Sequence, residues 1–204
     1  MDSHDALEYQ MLKYKFALNM LETEIRILID EFEFKNKYNP VEHIKTRIKS
    51  IDSAVEKLER RNYEVSVENL KDHIHDMVGI RIVCSFLSDV KKIVEVIENS
   101  QHIKIKEKKD YISNPKDTGY ISYHLIVDVP IYINNGVEMV DAEIQIRTVA
   151  MDFWASLDHK IQYKFPNDIP DEIKQELYNC ALETKILDDK MQSLNEIVNK
   201  YKKD

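Results

Sequence analysis

Residues Val140-Asp-Ala-Glu-Ile-Gln-Ile-Arg147 alternate apolar and polar side chains with a period of two, the mark of a β-strand with one buried face. Ala142, Ile144 and Ile146 point to one side, and Asp141, Glu143, Gln145 and Arg147 to the other. Upstream, Ser122 and His124 alternate with Tyr123, Leu125 and Val127 in the same way. The turn sequence Asn134-Asn-Gly136 predicts that the two strands are hairpin neighbours. One sheet face then collects a carboxylate, an amide, a guanidinium, an imidazole and a hydroxyl. A solvated sheet face is the ordinary reading of such a row. A charged ligand is the other, and cations recurring at several breaks between elements favour it.

The remaining pattern predicts a mixed α/β fold of the α+β type, with one domain over residues 1–204. Leu7, Met11, Tyr14, Leu18, Leu21, Ile25, Leu28 and Phe32 form a heptad seam on a long N-terminal helix within 1–38. Ile173, Leu177, Cys180, Leu187, Met191, Leu194 and Val198 repeat the device on a C-terminal helix within 168–204. Both seams are expected to pack within the chain, with a second subunit as the other use of such a period. The α/β core between the two helices is expected to span 39–165. Asn39-Pro-Val-Glu42 has the form of a helix start, predicting a basic helix to about residue 61 on which Lys49, Ser53 and Lys57 share a face.

Asp76 precedes the apolar run 78–86, read as a buried strand carrying Arg81, an arginine expected to emerge at a ligand or an ion pair. A helix with Val90, Ile93, Val94 and Ile97 follows. The stretch 102–110 then sets Ile103 and Ile105 against a basic face of Lys104, Lys106 and Lys108. A loop over 111–118 holds Pro115 and Lys116, and Thr148 opens a helix carrying Trp154, expected in the core.

Three glycines, Gly79, Gly119 and Gly136, stand far apart, which excludes a Walker-type loop and a dinucleotide fingerprint. Any phosphate must be held by side chains and a metal. The net charge of −8 argues against a broad nucleic-acid surface, so DNA is not an expected partner, yet it leaves room for a local basic pocket. No run has the length of a membrane span and the N-terminus lacks signal-peptide features, so a cytoplasmic location is expected. Cys84 and Cys180 have no partner at metal-ligand spacing and read as core thiols. Asp76 and Glu143 are two separated carboxylates that, with substrate phosphates, would suit Mg²⁺.

Taken in order, Arg47-Ile-Lys49-x3-Ser53-x3-Lys57, Asp76-Met-Val-Gly-Ile-Arg81, Lys109-Asp-Tyr-Ile112, Gly119-Tyr120-x-Ser-x-His124 and Glu143-Ile-Gln-Ile-Arg-Thr148 resemble the RelA/SpoT synthetase pattern. The chain length and Met151-Asp-Phe-Trp-Ala-Ser-Leu-Asp-His159 resemble the small, single-domain alarmone synthetases. The resemblance implies a nucleotidyltransferase-like mixed sheet flanked by helices, often in a homotetramer. It implies transfer of the β,γ-pyrophosphoryl group of ATP to the ribose 3′-oxygen of GDP or GTP. By that resemblance Arg47 and Arg81 sandwich the adenine, and Lys49, Ser53, Lys57 and Lys109 hold the ATP phosphates. Asp76 and Glu143 bind Mg²⁺, with Glu143 also the group to take the 3′-hydroxyl proton; ligand and base are competing assignments. Tyr120 stacks on guanine, Lys116 lies near the acceptor phosphates, and His124, Gln145 and Arg147 shape the phosphate end.

Three departures are visible. Ile121 stands where relatives usually carry Arg, which removes a bidentate partner for an anion. Asp158 replaces a frequent Glu. The segment Glu42-His-Ile-Lys-Thr46 lacks the Phe-x-Thr-Gly run of product-activated members, which predicts weak or absent activation by the alarmone. Two other readings remain: a toxin-type relative acting on tRNA 3′ ends, whose only basic cluster would be 104–109, and a nucleotide-binding protein without catalysis.

Overall fold

A computed structural model describes residues 3–165 and 169–201. The predicted start of the last helix at 168 and both chain ends lie outside the described residues. In chain order the elements are α1 (Ser3–Asn36), β1 (Val41–Ile48), α2 (Ile51–Arg60), α3 (Val67–His73), β2 (Val78–Cys84), α4 (Leu87–Glu98), β3 (Lys104–Asp110), β4 (Tyr123–Ile133), β5 (Gly136–Thr148), α5 (Val149–Gln162) and α6 (Asp171–Tyr201). The five strands form one mixed sheet in the order β1-β2-β5-β4-β3. β2 and β5 are parallel, and the other three pairings are antiparallel. The predicted hairpin is present, with Ile133 opposite Gly136 and His124 opposite Gln145.

The two faces of the sheet differ as the alternation predicts. Ile80, Ile82, Leu125, Val127, Ala142, Ile144 and Ile146 are buried on one side against Tyr14, Leu21 and Ile25 of α1 and Val90, Ile93 and Ile97 of α4. Each such isoleucine or leucine contributes roughly 1.5–3 kcal/mol by leaving water. The N-terminal seam therefore packs on its own sheet. The opposite face carries Glu143, Gln145, Arg81, Arg47 and His124.

The predicted helix at 39–61 is corrected: its first half is the edge strand β1, and only 51–60 is helical. Asn39 Oδ1 accepts from the Val41 N–H at 2.9 Å, a local turn and not a helix cap. A β-bulge between Val41 and His43 places Val41 on the same face as Ile44, Thr46 and Ile48. With Thr46 polar, the apolar residues fall at intervals of three and four, which imitates a helix. Lys49 consequently comes from the turn before α2, whose N-cap is Ser50; Ser53 and Lys57 do share a helical face.

A second bulge, between Ile105 and Glu107, breaks the expected alternation of β3. Lys108 lies opposite Leu125 on the helix-covered side and reaches Glu98 of α4 at 2.8 Å, whereas Lys109 lies opposite His124 on the polar side.

From Cys180 onward the C-terminal seam does not pack inward, although Ile173 and Leu177 are half-buried. The face of α6 that meets the rest of the chain carries Ala181 and Asp188, while Leu187, Met191, Leu194 and Val198 are exposed. Cys84 is a core thiol as expected, but Cys180 is exposed on this outward seam. Trp154 is buried and donates its indole N–H to Leu177 O at 2.9 Å.

Candidate active site

The register places Arg47 opposite Gly79 and Lys45 opposite Arg81, so the two arginines are diagonal neighbours on the polar face. Gly79 is also opposite Glu143 on the other flank. With no side chain at Gly79, a cleft of about 280 Å³ opens between Lys45, Arg47, Arg81, Glu143 and Gln145. A Cβ at position 79 would sit 3.4 Å from Arg47 Cγ, at the tight end of packing.

Asp76 enters beside this cleft from the turn before β2. Lys57 Nζ lies 2.7 Å from Asp76 Oδ1, and Lys49 Nζ 3.3 Å from Oδ2. Burial pushes the Asp76 carboxyl up, but the two ammonium groups outweigh it and hold the pKa below the ordinary carboxylate value. Ser53 lies in the first turn of α2, where its Oγ accepts from the Ser50 hydroxyl at 2.8 Å. Lys109 pairs with Glu107 at 3.0 Å on the edge strand.

From Glu143 a chain of hydrogen bonds runs along the polar row. An ionised carboxylate only accepts. His124 Nδ1 therefore carries the hydrogen in its 2.9 Å bond to Glu143 Oε1, and Gln145 Nε2 donates to Oε2 at 2.7 Å. In the neutral ring His124 Nε2 accepts from the Tyr120 hydroxyl at 2.8 Å. That hydroxyl accepts in turn from Arg147 Nη2, and the Arg147 guanidinium lies over the Tyr120 ring. Burial raises the Glu143 pKa, yet the bonds from His124 and Gln145 prevail and set it below the ordinary value, with nearby Asp76 opposing them. Glu143 is thus ionised at neutral pH.

The Lys116 ammonium sits between two aromatic rings, 4.7 Å from the Tyr111 centroid and 5.0 Å from that of Tyr120. Tyr120 also packs against Trp154, Ala155 and Ala181. Gly119, before it, has φ of +85°, and a Cβ there would meet the Ala181 Cβ at 2.5 Å. α6 therefore braces the loop carrying Lys116 and Tyr120. Ile121 is buried, 7% exposed.

Arg47, Arg81, Glu143 and Gln145 line one cleft, Asp76 gathers Lys49 and Lys57, and Tyr120, His124 and Arg147 join Glu143 through hydrogen bonds. Arg147 is itself 3% exposed and donates to Ser122, Asp152, Tyr120 and Gln145. Sequence reasoning missed Asp152, Lys45 and Tyr111. Asp152 Oδ1 pairs with Arg81 Nη1 at 3.0 Å and accepts from Arg147 Nη1 at 3.2 Å. An acidic residue in a first helical turn ordinarily reads as a partner of the helix dipole. Lys45 was hidden by the helix assignment, and Tyr111 stood in the quoted Lys109-Asp-Tyr-Ile112 motif.

This arrangement can bind a polyanion and hold a hydroxyl beside an ionised carboxylate. The family model described as a region found in RelA / SpoT proteins matches residues 46–168. GTP pyrophosphokinase YwaC of Bacillus subtilis (strain 168) is 46% identical over 93% of this chain and 90% of its own length. The crystal structure of small alarmone synthetase 2 from Bacillus subtilis superposes with a TM-score of 0.84 at 45% identity, covering 93% of this chain and 98% of that one. That of small alarmone synthetase 1 from the same organism, bound to its product pppGpp, gives a TM-score of 0.88 at 29% identity, covering 96% and 99%. With a family match over more than half of its residues and a relative covered nearly end to end, the chain belongs to the RelA/SpoT family, among the small alarmone synthetases.

Proposed function

We propose that this chain is a (p)ppGpp synthetase, a GTP pyrophosphokinase that moves the β,γ-pyrophosphoryl group of ATP to the ribose 3′-oxygen of GDP or GTP and releases AMP. The observation that carries this reading is the continuous polar row from the Arg47–Arg81 cleft through Glu143 and His124 to Tyr120. Two nucleotides, one at each end, would bring their reacting groups together at Glu143.

In this reading Arg47 and Arg81 clasp the adenine, and Lys49, Ser53, Lys57 and Lys109 face the ATP phosphates. Lys49 and Lys57 exchange part of their pairing with Asp76 for phosphate oxygens. Tyr120 stacks on guanine and Lys116 leaves the two tyrosine rings for the acceptor phosphates. Glu143, oriented by His124 and Gln145, takes the 3′-hydroxyl proton as that oxygen attacks the β-phosphorus and the bond to the α–β bridging oxygen breaks. Arg147 holds Tyr120 and Gln145 in place.

Mg²⁺ fits the donor set. Asp76 and Glu143 offer hard oxygen ligands close enough for the charge of one to act on the other. Among the described residues no group of three or more His, Cys, Asp or Glu could hold an ion alone, which suits an ion completed by waters and phosphates. When bound, the ion neutralises charge on the transferring group.

The exposed apolar stripe of α6 and Phe153 and Leu157 of α5 support assembly into a homo-oligomer, a tetramer in this reading. Among the described residues no helix is long and apolar enough to cross a membrane. The nucleotide substrates support a cytoplasmic location. Acidic partners interspersed in its basic cluster disfavour the tRNA alternative: Lys104 pairs with Asp128, Lys106 with Asp141 and Lys108 with Glu98.

Incubation of the purified protein with γ-labelled ATP, Mg²⁺ and GDP, GTP or deacylated tRNA tests the reading. Label in a guanosine tetra- or pentaphosphate is expected, despite Ile121. Label on tRNA, or none transferred, would contradict it.

A further inference from the structure

Asp152 lies where the two halves of the site meet. It is 7% exposed, in the first turn of α5, and takes guanidinium groups from two different strands: Arg81 of β2 at 3.0 Å and Arg147 of β5 at 3.2 Å. Its other oxygen faces His43 and Lys45 of β1 at 3.9 Å each. One carboxylate thus offsets several cationic groups on three strands.

The two arginines depend on it unequally. Arg147 has further acceptors in Ser122 Oγ at 3.3 Å, Gln145 Oε1 at 3.1 Å and the Tyr120 hydroxyl. For Arg81 the described residues supply one carboxylate, Asp152, and its buried Nε has no partner. Burial, Arg147 and Arg47 all act against the charge of Arg81, and Asp152 opposes them. Without Asp152, Arg81 would stand between two other arginines with no anion to hold it over the cleft.

We infer that Asp152 is a positioning residue that fixes Arg81 in the ATP cleft, and so sets the affinity for the donor nucleotide far more than for the acceptor. This rests on the synthetase reading above. Asp152→Asn keeps the shape of the side chain and removes its charge. The ATP KM is expected to rise about tenfold, the scale of one charge-assisted contact, while the acceptor KM and kcat change less than about threefold.

A double-mutant cycle separates positioning from general loosening. If Asp152 acts through Arg81, then adding Asp152→Asn to Arg81→Met raises the ATP KM no further. Should the asparagine variant be too unstable to assay, Asp152→Glu, which keeps the charge but displaces it by one methylene, is expected to give the same one-sided pattern at smaller size. An equal rise in both KM values, or an undiminished effect of Asp152→Asn in the Arg81→Met background, would overturn the inference. Wild-type protein that transfers no pyrophosphate would instead defeat the synthetase reading, and direct titration with a non-hydrolysable ATP analogue would still report on Asp152.

Discussion

The Lys57 ammonium lies 2.7 Å from the carboxylate of Asp76, so the proposed metal ligand is already occupied by a cation. Lys49 reinforces it at 3.3 Å. The two lysines hold Asp76 ionised; under the proposed function they would become phosphate ligands when nucleotide and metal bind together. Lys57→Met is expected to raise the ATP KM about tenfold, the value of one charge-assisted contact. Steady-state kinetics at saturating acceptor measures this, and an unchanged KM would remove Lys57 from the donor site.

The same pairing has a pH consequence. The Asp76 and Glu143 pKa values are both depressed in the fold. Stability from such groups is present above the ordinary carboxylate value near pH 4 and is lost as pH falls through the folded values. Neither group accounts for an acid limb of activity between about pH 5 and 7.

Asp188 behaves in the opposite sense. Burial raises its pKa to about 6, although the Thr148 hydroxyl donates to it at 2.6 Å. Its stabilising contribution is complete below the ordinary value and is lost as pH rises through about 6. Between pH 5 and 7.5 the wild-type melting temperature should fall by about 2–6 °C relative to Asp188→Asn. Parallel melting curves across that range would show no such difference if Asp188 were ordinarily acidic.

Gly119 lies against Ala181 of α6, where an added Cβ would come to 2.5 Å from the Ala181 Cβ, and position 119 has a left-handed backbone. Gly119→Ala introduces both strain and a clash, costing about 1–3 kcal/mol. The acceptor KM should rise severalfold with little change for ATP, and Ala181→Gly should restore part of the loss. Kinetics in which both nucleotides suffer equally would argue that the loop serves the whole fold.

The outward seam of α6 makes the clearest quaternary prediction. Leu187→Asp with Met191→Glu is expected to yield smaller species in light scattering while leaving the sheet folded, since both side chains are exposed in the single chain. An unchanged mass would place the subunit contacts elsewhere.

Much of this molecule was legible where one physical pattern dominated. β4 and β5 alternate cleanly because one face meets the core and the other the cleft, so Glu143, Gln145 and His124 were found together. β1 was illegible because a bulge and the polar Thr46 convert alternation into apparent helical spacing, which concealed Lys45 and misplaced Arg47. Lys108 and Lys109 changed faces for the same reason in β3. Asp152 escaped because its partners come from β2 and β5, a contact that no local period encodes. The α6 seam was readable as an apolar stripe, but its direction depends on the small Ala181 and the polar Asp188, which occupy the inward face instead.

The most direct test of the account is transfer from γ-labelled ATP to GDP and GTP by wild type and Glu143→Gln, with binding of an ATP analogue measured on both. The account predicts labelled guanosine tetra- and pentaphosphate from the wild type, a loss of about 10²-fold or more in kcat for the variant, and retained analogue binding. Transfer that survives Glu143→Gln undiminished would contradict the central role given to that carboxylate.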